Sequence, residues 1–197
     1  RPVELKEHVV SVDGMFVKRK GGDGESAELS RVGDAPWSSA EIDVIAELVG
    51  AVYVRGHSSL IFCISKRQGV TFALALSRMF PPNPQTAGLR ETCVEKLYEA
   101  AEGEPNIDLV TCARAGLAWH HAGLTAAEKK VIEEGFRNGA ILAMTCTTTL
   151  AAGVNLPARR CVILRGSIRG GPTPSMAQYK QMAGRAGRKG QSDFGES

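Results

Sequence analysis

The chain has 197 residues, 43% of them hydrophobic and 23% charged, with a formal net charge of +3 and five cysteines. This length fits one α/β domain rather than two, no apolar run approaches the roughly 18–20 residues of a membrane span, and no signal peptide opens the chain. The cysteines are odd in number and form no CxxC pair, which argues against zinc and a disulfide framework, so we expect a soluble intracellular protein.

The predicted elements begin with a strand or hairpin over residues 2–18, where apolar residues alternate loosely. The Gly-rich, charged segment 20–34 follows, and we expect it to be a mobile loop. Ser38 and Glu41 then mark the start of a helix whose apolar spacing extends to Gly50. Beyond Gly50 strands and helices alternate: a buried strand over 59–64, helices over 68–79 and 89–102, a short strand and turn over 116–124, a helix that opens with a Thr125/Glu128 capping box and ends at Asn138-Gly139, strands over 141–145 and 161–164, and a helix over 175–182.

This alternation predicts a parallel α/β sheet with right-handed crossovers and helices on both sides, a three-layer α/β/α architecture. In sheets of this kind ligands bind at the carboxyl ends of the strands. The strongest motifs in the sequence follow the ends of predicted strands, so the candidate functional residues are expected to meet at one edge of the sheet.

Positive charge is concentrated in one part of the chain. Residues 135–192 contain nine Lys and Arg and no Asp or Glu, which leaves 15 of the 24 basic residues beside all 21 acidic ones elsewhere. A basic region next to an acidic remainder is typical of a protein that binds a polyanion with one face. A solvated basic face would have the same composition, so charge alone leaves both interpretations open.

The motif QMAGRAGR (181–188) has the form QxxGRxGR. Arg185 and Arg188 each follow a glycine, which lets the backbone and the guanidinium approach a crowded anion closely. The guanidinium fork pairs with phosphate oxygens in a bidentate way and keeps its charge at any relevant pH. The motif is therefore suited to stabilising a phosphoryl-transfer transition state, and the alternative is a basic, Gly-rich loop without a role.

The segment TTTLAAGVNLP (147–157) directly follows a predicted strand. The hydroxyls of Thr147 to Thr149 can donate to backbone phosphates, which gives position without reading bases. Gly153 allows the backbone to approach a ligand closely, and Asn155 adds an amide to the same turn. Taken alone, this pattern favours a polar turn that caps a helix.

Two further motifs follow strands. The adjacent histidines of WHHAGLT (119–125) point to opposite faces of a strand, so they do not chelate one metal together, and at least one is expected to be a satisfied core residue. The turn from His121 to Gly123 leads into a helix start, which is suited to a phosphate. After the first buried strand, Ser65 offers a hydroxyl and Lys66 a charge, although a helix start with solvated basic residues is the default interpretation.

In this order the motifs resemble the second RecA-like lobe of superfamily 2 helicases, and the segments that carry the resemblance are LIFCISKRQ (60–68), WHHAGLT (119–125), TTTLAAGVNLPARR (147–160) and QMAGRAGRKG (181–190). The last two are closer still to the Ski2-like branch, which contains the Hel308 helicases and the helicase-like domain of DNA polymerase theta. The phrase YKQMAGRAGRKG with a trailing FGES is most similar to the polymerase theta type. The resemblance is dense from about residue 116 onward and looser over 41–80.

The resemblance implies that Arg185 and Arg188 are arginine fingers that face the γ-phosphate of ATP, with Gln181 beside them. ATP and Mg²⁺ would lie between this lobe and an N-terminal RecA-like lobe of the same parent chain, and no metal ligand is expected within this chain. The residues implied on the nucleotide side are Gly153, Asn155, Gly184, Arg185 and Arg188. Those implied to contact the phosphates of single-stranded DNA are Ser65, Lys66, His121, Gly123, Thr147 and Thr149.

The sequence also departs from a complete motor. It contains no Gly-Lys dipeptide, hence no GxxxxGK[ST] phosphate loop, and no Asp-Glu dipeptide, hence no DExH element for magnesium. Nothing in the chain would organise in-line attack on the γ-phosphate, so we expect the isolated chain not to hydrolyse ATP. Three successive threonines stand where relatives usually have Pro or Ser, which leaves open which hydroxyl of 147–149 makes the key contact.

We therefore expect the second motor lobe of an ATP-dependent DNA helicase that acts in DNA repair in the nucleus, and no membrane partner. Because position 1 is not Met, we expect a piece of a longer protein, with a strand or hairpin and loop over 1–37 and the lobe over 38–197. Whether a DNA polymerase domain follows stays open. The alternatives are a Ski2-like RNA helicase, since backbone contacts do not separate RNA from DNA, and a docking module with inert motor motifs.

Overall fold

In the computed structural model of the chain, the structure describes residues 4–11, 14–19, 28–33, 41–148, 150, 153–164, 174–186 and 194–196. The elements in chain order are β1 (Glu4–Ser11), β2 (Gly14–Arg19), β3 (Glu28–Gly33), α1 (Glu41–Tyr53), β4 (Ser59–Phe62), α2 (Lys66–Met79), a 3-10 turn (Pro84–Thr86), α3 (Ala87–Ala100), α4 (Ile107–Arg114), β5 (Leu117–His120), α5 (Ala126–Asn138), β6 (Ala143–Cys146), β7 (Arg160–Ile163), α6 (Met176–Ala183) and β8 (Phe194–Glu196).

The strands form one sheet in the order β3-β2-β1-β8-β7-β4-β6-β5. From β1 to β5 every neighbouring pair in this order is parallel, and helices flank the sheet, which confirms the predicted RecA-like α/β class. All four residues of β4 are buried, as predicted for a strand that is covered on both faces. The antiparallel strands β2 and β3 extend the sheet beyond β1.

The N-terminal hairpin confirms the first prediction, because β1 and β2 pair antiparallel from Glu7↔Lys18 to Ser11↔Gly14. The predicted loop over 20–34 is wrong for residues 28–33, which form β3 and pair with β2. Cross-strand pairing here overrides a Gly-rich composition that favours a loop. The rest of that segment lies outside the described residues. The division at 37/38 stays a prediction, and β1 and β8 share one sheet across it.

The helix after residue 40 does not end at Gly50, as the sequence predicts, but continues to Tyr53. A Cβ at Gly50 would lie 3.4 Å from the ring of Phe80, so this glycine makes room for packing rather than ending the helix. Tyr53 stacks on the same ring, with 4.9 Å between centroids. The predicted cap at Ser38 lies outside the described residues.

A helix and a strand are also absent from the sequence-based prediction. Helix α4 begins after Asn106, whose side chain accepts a hydrogen bond from the N–H of Leu109 at 3.1 Å. An Asn cap of this kind is a recognisable signal for the start of a helix. The sequence-based prediction nevertheless placed no element between residues 102 and 116. Strand β8 is only three residues long and pairs with the remote strand β1. No local pattern in the sequence therefore marks it as a strand.

The later helices match their predictions closely. Thr125 and Glu128 form the predicted capping box of α5, which ends at Gly139 with φ 85°. Helix α6 is capped by Ser175 and Gln178 in the same reciprocal way. Strands β6 and β7 are each displaced by one or two residues from the predicted ranges, which does not change which loops follow them. None of the helices in the described part of the chain is long and apolar enough to cross a membrane.

All five cysteines are free and buried, three of them on or next to the central strands and two on α3 and α4. Burial raises the pKa of Cys63 to about 12 and those of Cys93 and Cys112 to about 11, and it raises the pKa values of Cys146 and Cys161 as well.

Because the thiolate is the reactive form, we expect the native chain to react negligibly with a disulfide reagent at pH 8, and all five thiols to react once the chain is denatured. The measurement is the release of the reagent's chromophore with and without denaturant. Fast reaction of any thiol in the native chain would contradict this burial.

Candidate nucleic-acid interface

The loops that carry the predicted phosphate ligands leave neighbouring strands on one edge of the sheet. Strands β4, β6 and β5 are adjacent and parallel, with Phe62 opposite Cys146 and Cys146 opposite His120. The three following loops therefore begin side by side. They bring together the predicted residues Ser65, Lys66, His121, Gly123 and Thr147, whereas Thr149 lies outside the described residues.

The loop after β4 is held by two hydrogen bonds. The Ser65 hydroxyl caps α2 by accepting from the N–H of Gln68 at 3.1 Å, and the Gln68 side chain accepts from the N–H of Ile64 at 3.0 Å. The default interpretation of a helix start is thus confirmed for this segment. Ser65 and Lys66 are both exposed, and the hydroxyl proton of Ser65 is still available to donate outward.

A buried hydroxyl ties the loop after β6 to α2. Thr145 is fully buried, and its side chain donates to the carbonyl of Gly69 at 2.8 Å. Gly69 is buried, and a Cβ there would lie 3.5 Å from the Thr145 hydroxyl. Thr147 follows two residues later and is half-buried. The spacing between Thr147 and the start of α2 is therefore fixed from inside the lobe.

An open cavity of about 180 Å³ lies where β4, β6 and β7 end, beneath α6. Its lining is mainly apolar with a few polar side chains, and it consists of Phe62, Cys63, Ile64, Thr147, Thr148, Leu164, Pro174, Gln178 and Met182. The cavity joins the threonine loop to the helix that carries Gln181. The edge of the sheet and α6 are thus parts of one continuous surface.

The two adjacent histidines lie in different environments, as predicted. His120 is buried, as expected for a core residue, and its Nε2 lies 3.0 Å from a carboxylate oxygen of Glu133. The expectation that it is fully satisfied is met at this nitrogen only, because its buried Nδ1 has no hydrogen-bond partner among the described residues. His121 is half-buried, and its Nδ1 accepts the N–H of Gly123 at 3.0 Å. In the part of the chain that the structure describes, no cluster of His, Cys, Asp or Glu is arranged to hold a metal ion.

Burial lowers the pKa of His121 below its ordinary value of 6.5 against the smaller, raising effect of a backbone hydrogen bond, and the positive charges of Lys66 and Lys129 lower it further. His121 is therefore neutral near pH 7. Since its Nδ1 is an acceptor, we assign the ring proton to Nε2, where it can donate to an anion. The sequence analysis missed Lys129, because only the fold brings the first turn of α5 close to His121.

We expect the lowered pKa of His121 to make the fold less stable in acid. The unfolded chain then binds more protons than the folded one, so stability falls as the pH drops through 6.5 and levels off below the folded-state pKa. The variant His121→Gln should therefore lose less Tm between pH 7.5 and 5.5 than the wild type. Parallel Tm curves for both proteins across this range would contradict the assignment.

The arginine motif lies at the end of α6 and packs against the turn that precedes β7. The carbonyl of Arg185 accepts the N–H of Ala158 at 3.0 Å, and Ala158 and Ala186 form a parallel bridge. Arg185 itself is buried, and its positive charge lowers the pKa of the Cys161 thiol against the larger opposing effect of burial. Gln181 is exposed in the last turn of the helix, and Gly184 follows it as the C-cap.

The turn that contains Gly153 and Asn155 connects these two regions. Both residues are exposed, whereas Leu156 between the turn and Ala158 is fully buried and anchors the segment. A Cβ at Gly153 would meet nothing within 4 Å, so no contact within the lobe requires a glycine here, and the predicted close approach of a ligand stays a prediction. Arg188 lies outside the described residues, and the roles predicted for the arginines stay predictions.

Comparison with known proteins identifies the family of the chain. The model of the helicase conserved C-terminal domain matches residues 41–190. The chain is 37% identical over 204 residues to a human protein named helicase POLQ-like, covering 100% of this chain and 18% of that protein. It is 36% identical over 207 residues to the ATP-dependent DNA helicase Hel308 of Aeropyrum pernix, covering 100% and 26%.

A third relative is the DNA polymerase theta of Mus musculus, which is 38% identical over 170 residues, covering 79% of this chain and 7% of that protein. The chain thus spans about a quarter or less of the length of these relatives. It belongs to the family of helicase conserved C-terminal domains, within the Ski2-like, Hel308-type group of superfamily 2 that includes the POLQ-like helicases.

Proposed function

We propose that the chain is the second motor lobe of an ATP-dependent DNA helicase that acts on single-stranded or forked DNA in repair. The observation that carries this proposal is the common position of three loops, after β4, β5 and β6, at one edge of the sheet, beside the arginine-bearing end of α6. The names of the Hel308 relatives specify a DNA helicase, which supports DNA over RNA as the substrate.

Single-stranded DNA would contact this edge through its phosphates. Ser65, Thr147 and the Nε2 proton of His121 offer neutral donors, while Lys66 and Lys129 supply charge. Gly123 lets the backbone approach a phosphate closely. Thr149 is the remaining residue predicted to contact the DNA phosphates. Donors of this kind position a strand without reading its sequence, as a translocating motor requires.

We expect Gly123→Ala to weaken single-stranded DNA binding by the full-length protein about three- to tenfold. A Cβ at Gly123 would lie 2.8 Å from Cε1 and 3.0 Å from Nδ1 of His121, so the ring must move and its hydrogen bond to the Gly123 N–H is lost. Fluorescence anisotropy with a labelled oligonucleotide measures the effect.

The double variant His121→Ala/Gly123→Ala is the control, because without the ring the added methyl meets no obstacle. It should bind DNA as well as His121→Ala alone. An undiminished penalty for Gly123→Ala in that background would show that the glycine acts in another way.

ATP would bind between this lobe and an N-terminal lobe of the parent, with Gln181, Gly184, Arg185 and Arg188 on one side and Gly153 and Asn155 nearby. The exposed turn at Gly153 fits close approach to a nucleotide, whereas the described residues offer no cluster for Mg²⁺. We propose that the other lobe holds the metal and the attacking water, because this sequence has neither a GxxxxGK[ST] loop nor an Asp-Glu dipeptide. In this proposal the arginines of this lobe stabilise the charge that develops on the transferred phosphate.

Two alternatives differ from this proposal in measurable ways. A Ski2-like RNA helicase would have the same backbone contacts and would differ only in sensing the 2′-OH. A docking module would have inert motor motifs. A nuclear location and a fusion to a DNA polymerase are proposed only by similarity, the latter because one relative is named DNA polymerase theta.

The test measures ATP turnover by the full-length protein with single-stranded DNA, with single-stranded RNA and with neither, beside the 197-residue chain alone. Stimulation by DNA only, with no turnover by the isolated chain, is the expected result. Equal or stronger stimulation by RNA would favour the RNA helicase, and no turnover with either would favour the docking module. Turnover by the isolated chain would overturn the proposal that ATP hydrolysis requires the N-terminal lobe.

A further inference from the structure

A hydrogen bond joins the N-terminal hairpin to the helix that carries the arginine motif. The hydroxyl of Tyr179, in the middle of α6, donates to a carboxylate oxygen of Glu7 on β1 at 2.9 Å. The two side chains are half-buried and lie 172 residues apart in the sequence. None of the residues assigned to DNA or to ATP takes part in this bond.

Each partner is held by independent contacts. Glu7 pairs with Lys18 of β2 and directly follows Lys6, which pairs with Glu196 of β8. Strand β8 in turn pairs with β7, next to α6. The carboxylate of Glu7 therefore projects from a strand that pairs with β2 on one side and with β8 on the other. Its position is fixed by the sheet and not by α6.

The two ends of helix α6 are defined by different contacts. At its start Ser175 and Gln178 form the capping box, and at its end the turn is held by the bond between Ala158 and Arg185. Between these two ends, the hydroxyl of Tyr179 connects the helix to the hairpin. It lies two residues before Gln181 and six before Arg185, so a rotation of the helix that breaks the bond would displace both.

We propose that Glu7 and Tyr179 are positioning residues through which the N-terminal hairpin sets the orientation of α6 and of the arginine motif behind it. This inference rests on the proposed function, because its consequence appears in ATP turnover. A hydroxyl-to-carboxylate bond is charge-assisted and stronger than a neutral one. Its loss leaves the cap and the terminal turn of α6 intact, so the helix remains folded while its orientation becomes less defined.

The test is Tyr179→Phe in the full-length protein, which removes the hydroxyl and keeps the ring. We expect kcat for DNA-stimulated ATP turnover to fall about tenfold, with KM for ATP, single-stranded DNA affinity and Tm almost unchanged. Glu7→Gln keeps an acceptor oxygen and should lose less activity than Glu7→Ala. The double variant Glu7→Ala/Tyr179→Phe should be no worse than the poorer single variant, since both changes remove the same bond.

Tyr98→Phe is the matched control, because Tyr98 is a partly exposed tyrosine on α3 and outside the site; its kcat should equal that of the wild type. The inference is overturned if Tyr179→Phe retains full kcat, or if its loss of kcat is accompanied by a clear fall in Tm. It is also overturned if the losses of kcat in Glu7→Ala and Tyr179→Phe add up in the double variant. Absence of DNA-stimulated turnover in the wild-type protein would instead overturn the proposed function itself.

Discussion

Replacing Arg188 by alanine in the full-length protein should reduce DNA-stimulated ATP turnover by about 10³- to 10⁵-fold, the contribution of an arginine finger to phosphoryl transfer. The reason is that charge develops on the γ-phosphate in the transition state and a guanidinium stabilises it there. Most of the effect should therefore appear in kcat. Steady-state phosphate release at saturating DNA measures it.

Arg114→Ala is a suitable control, because this exposed arginine ends α4, an element that carries none of the predicted site residues. It should retain wild-type turnover. Full turnover by Arg188→Ala would overturn the assignment of Arg188 as an arginine finger. Arg185 is a poorer first target, because it is buried and its replacement would also disturb the packing against β7.

The largest expected effect on folding comes from Gly116→Ala, which should lower the free energy of unfolding by about 2–4 kcal/mol. Gly116 has φ 77°, a left-handed conformation that alanine adopts at a cost. A Cβ would also lie 3.1 Å from the hydroxyl of Tyr53, which donates to the carbonyl of Ala115 at 2.6 Å. The methyl therefore displaces a buried hydrogen bond, and denaturant titration of both proteins measures the loss.

Gly139→Ala separates the two causes. Gly139 has a similar φ of 85°, but a Cβ there would meet nothing within 4 Å. This variant should lose only the conformational part, about 1–2 kcal/mol. Equal losses for the two variants would mean that the contact with Tyr53 has no energetic consequence.

The sequence was most informative where the signal is local. A short apolar run predicts the buried strand β4, a capping box predicts the start of α5, and the position of each motif after a strand predicts the shared edge of the sheet. These features depend on neighbouring residues and on the general geometry of parallel sheets. The adjacent histidines belong to the same class, since alternation along a strand separates His120 from His121.

What could not be predicted depends on partners that are remote in the sequence. Strand β3 exists because β2 lies beside it, and β8 because it fits between β1 and β7. The charge of Lys129 reaches His121 only through the packing of α5 next to β5. The bond from Tyr179 to Glu7 spans almost the whole chain, and nothing in either neighbourhood indicates it.

The pairing of β1 with β8 has a consequence for the order of folding. Glu4 pairs with Phe194, so β1 is synthesised long before β8, the strand through which it joins the parallel sheet. Contacts of such long range are slow to form, because closing the intervening chain costs entropy before the pairing offsets it. Until then one edge of β1 is an unpaired template for other chains. Synthesis of the parent should therefore be most vulnerable to aggregation, and most dependent on chaperones, in the interval between the emergence of these two strands.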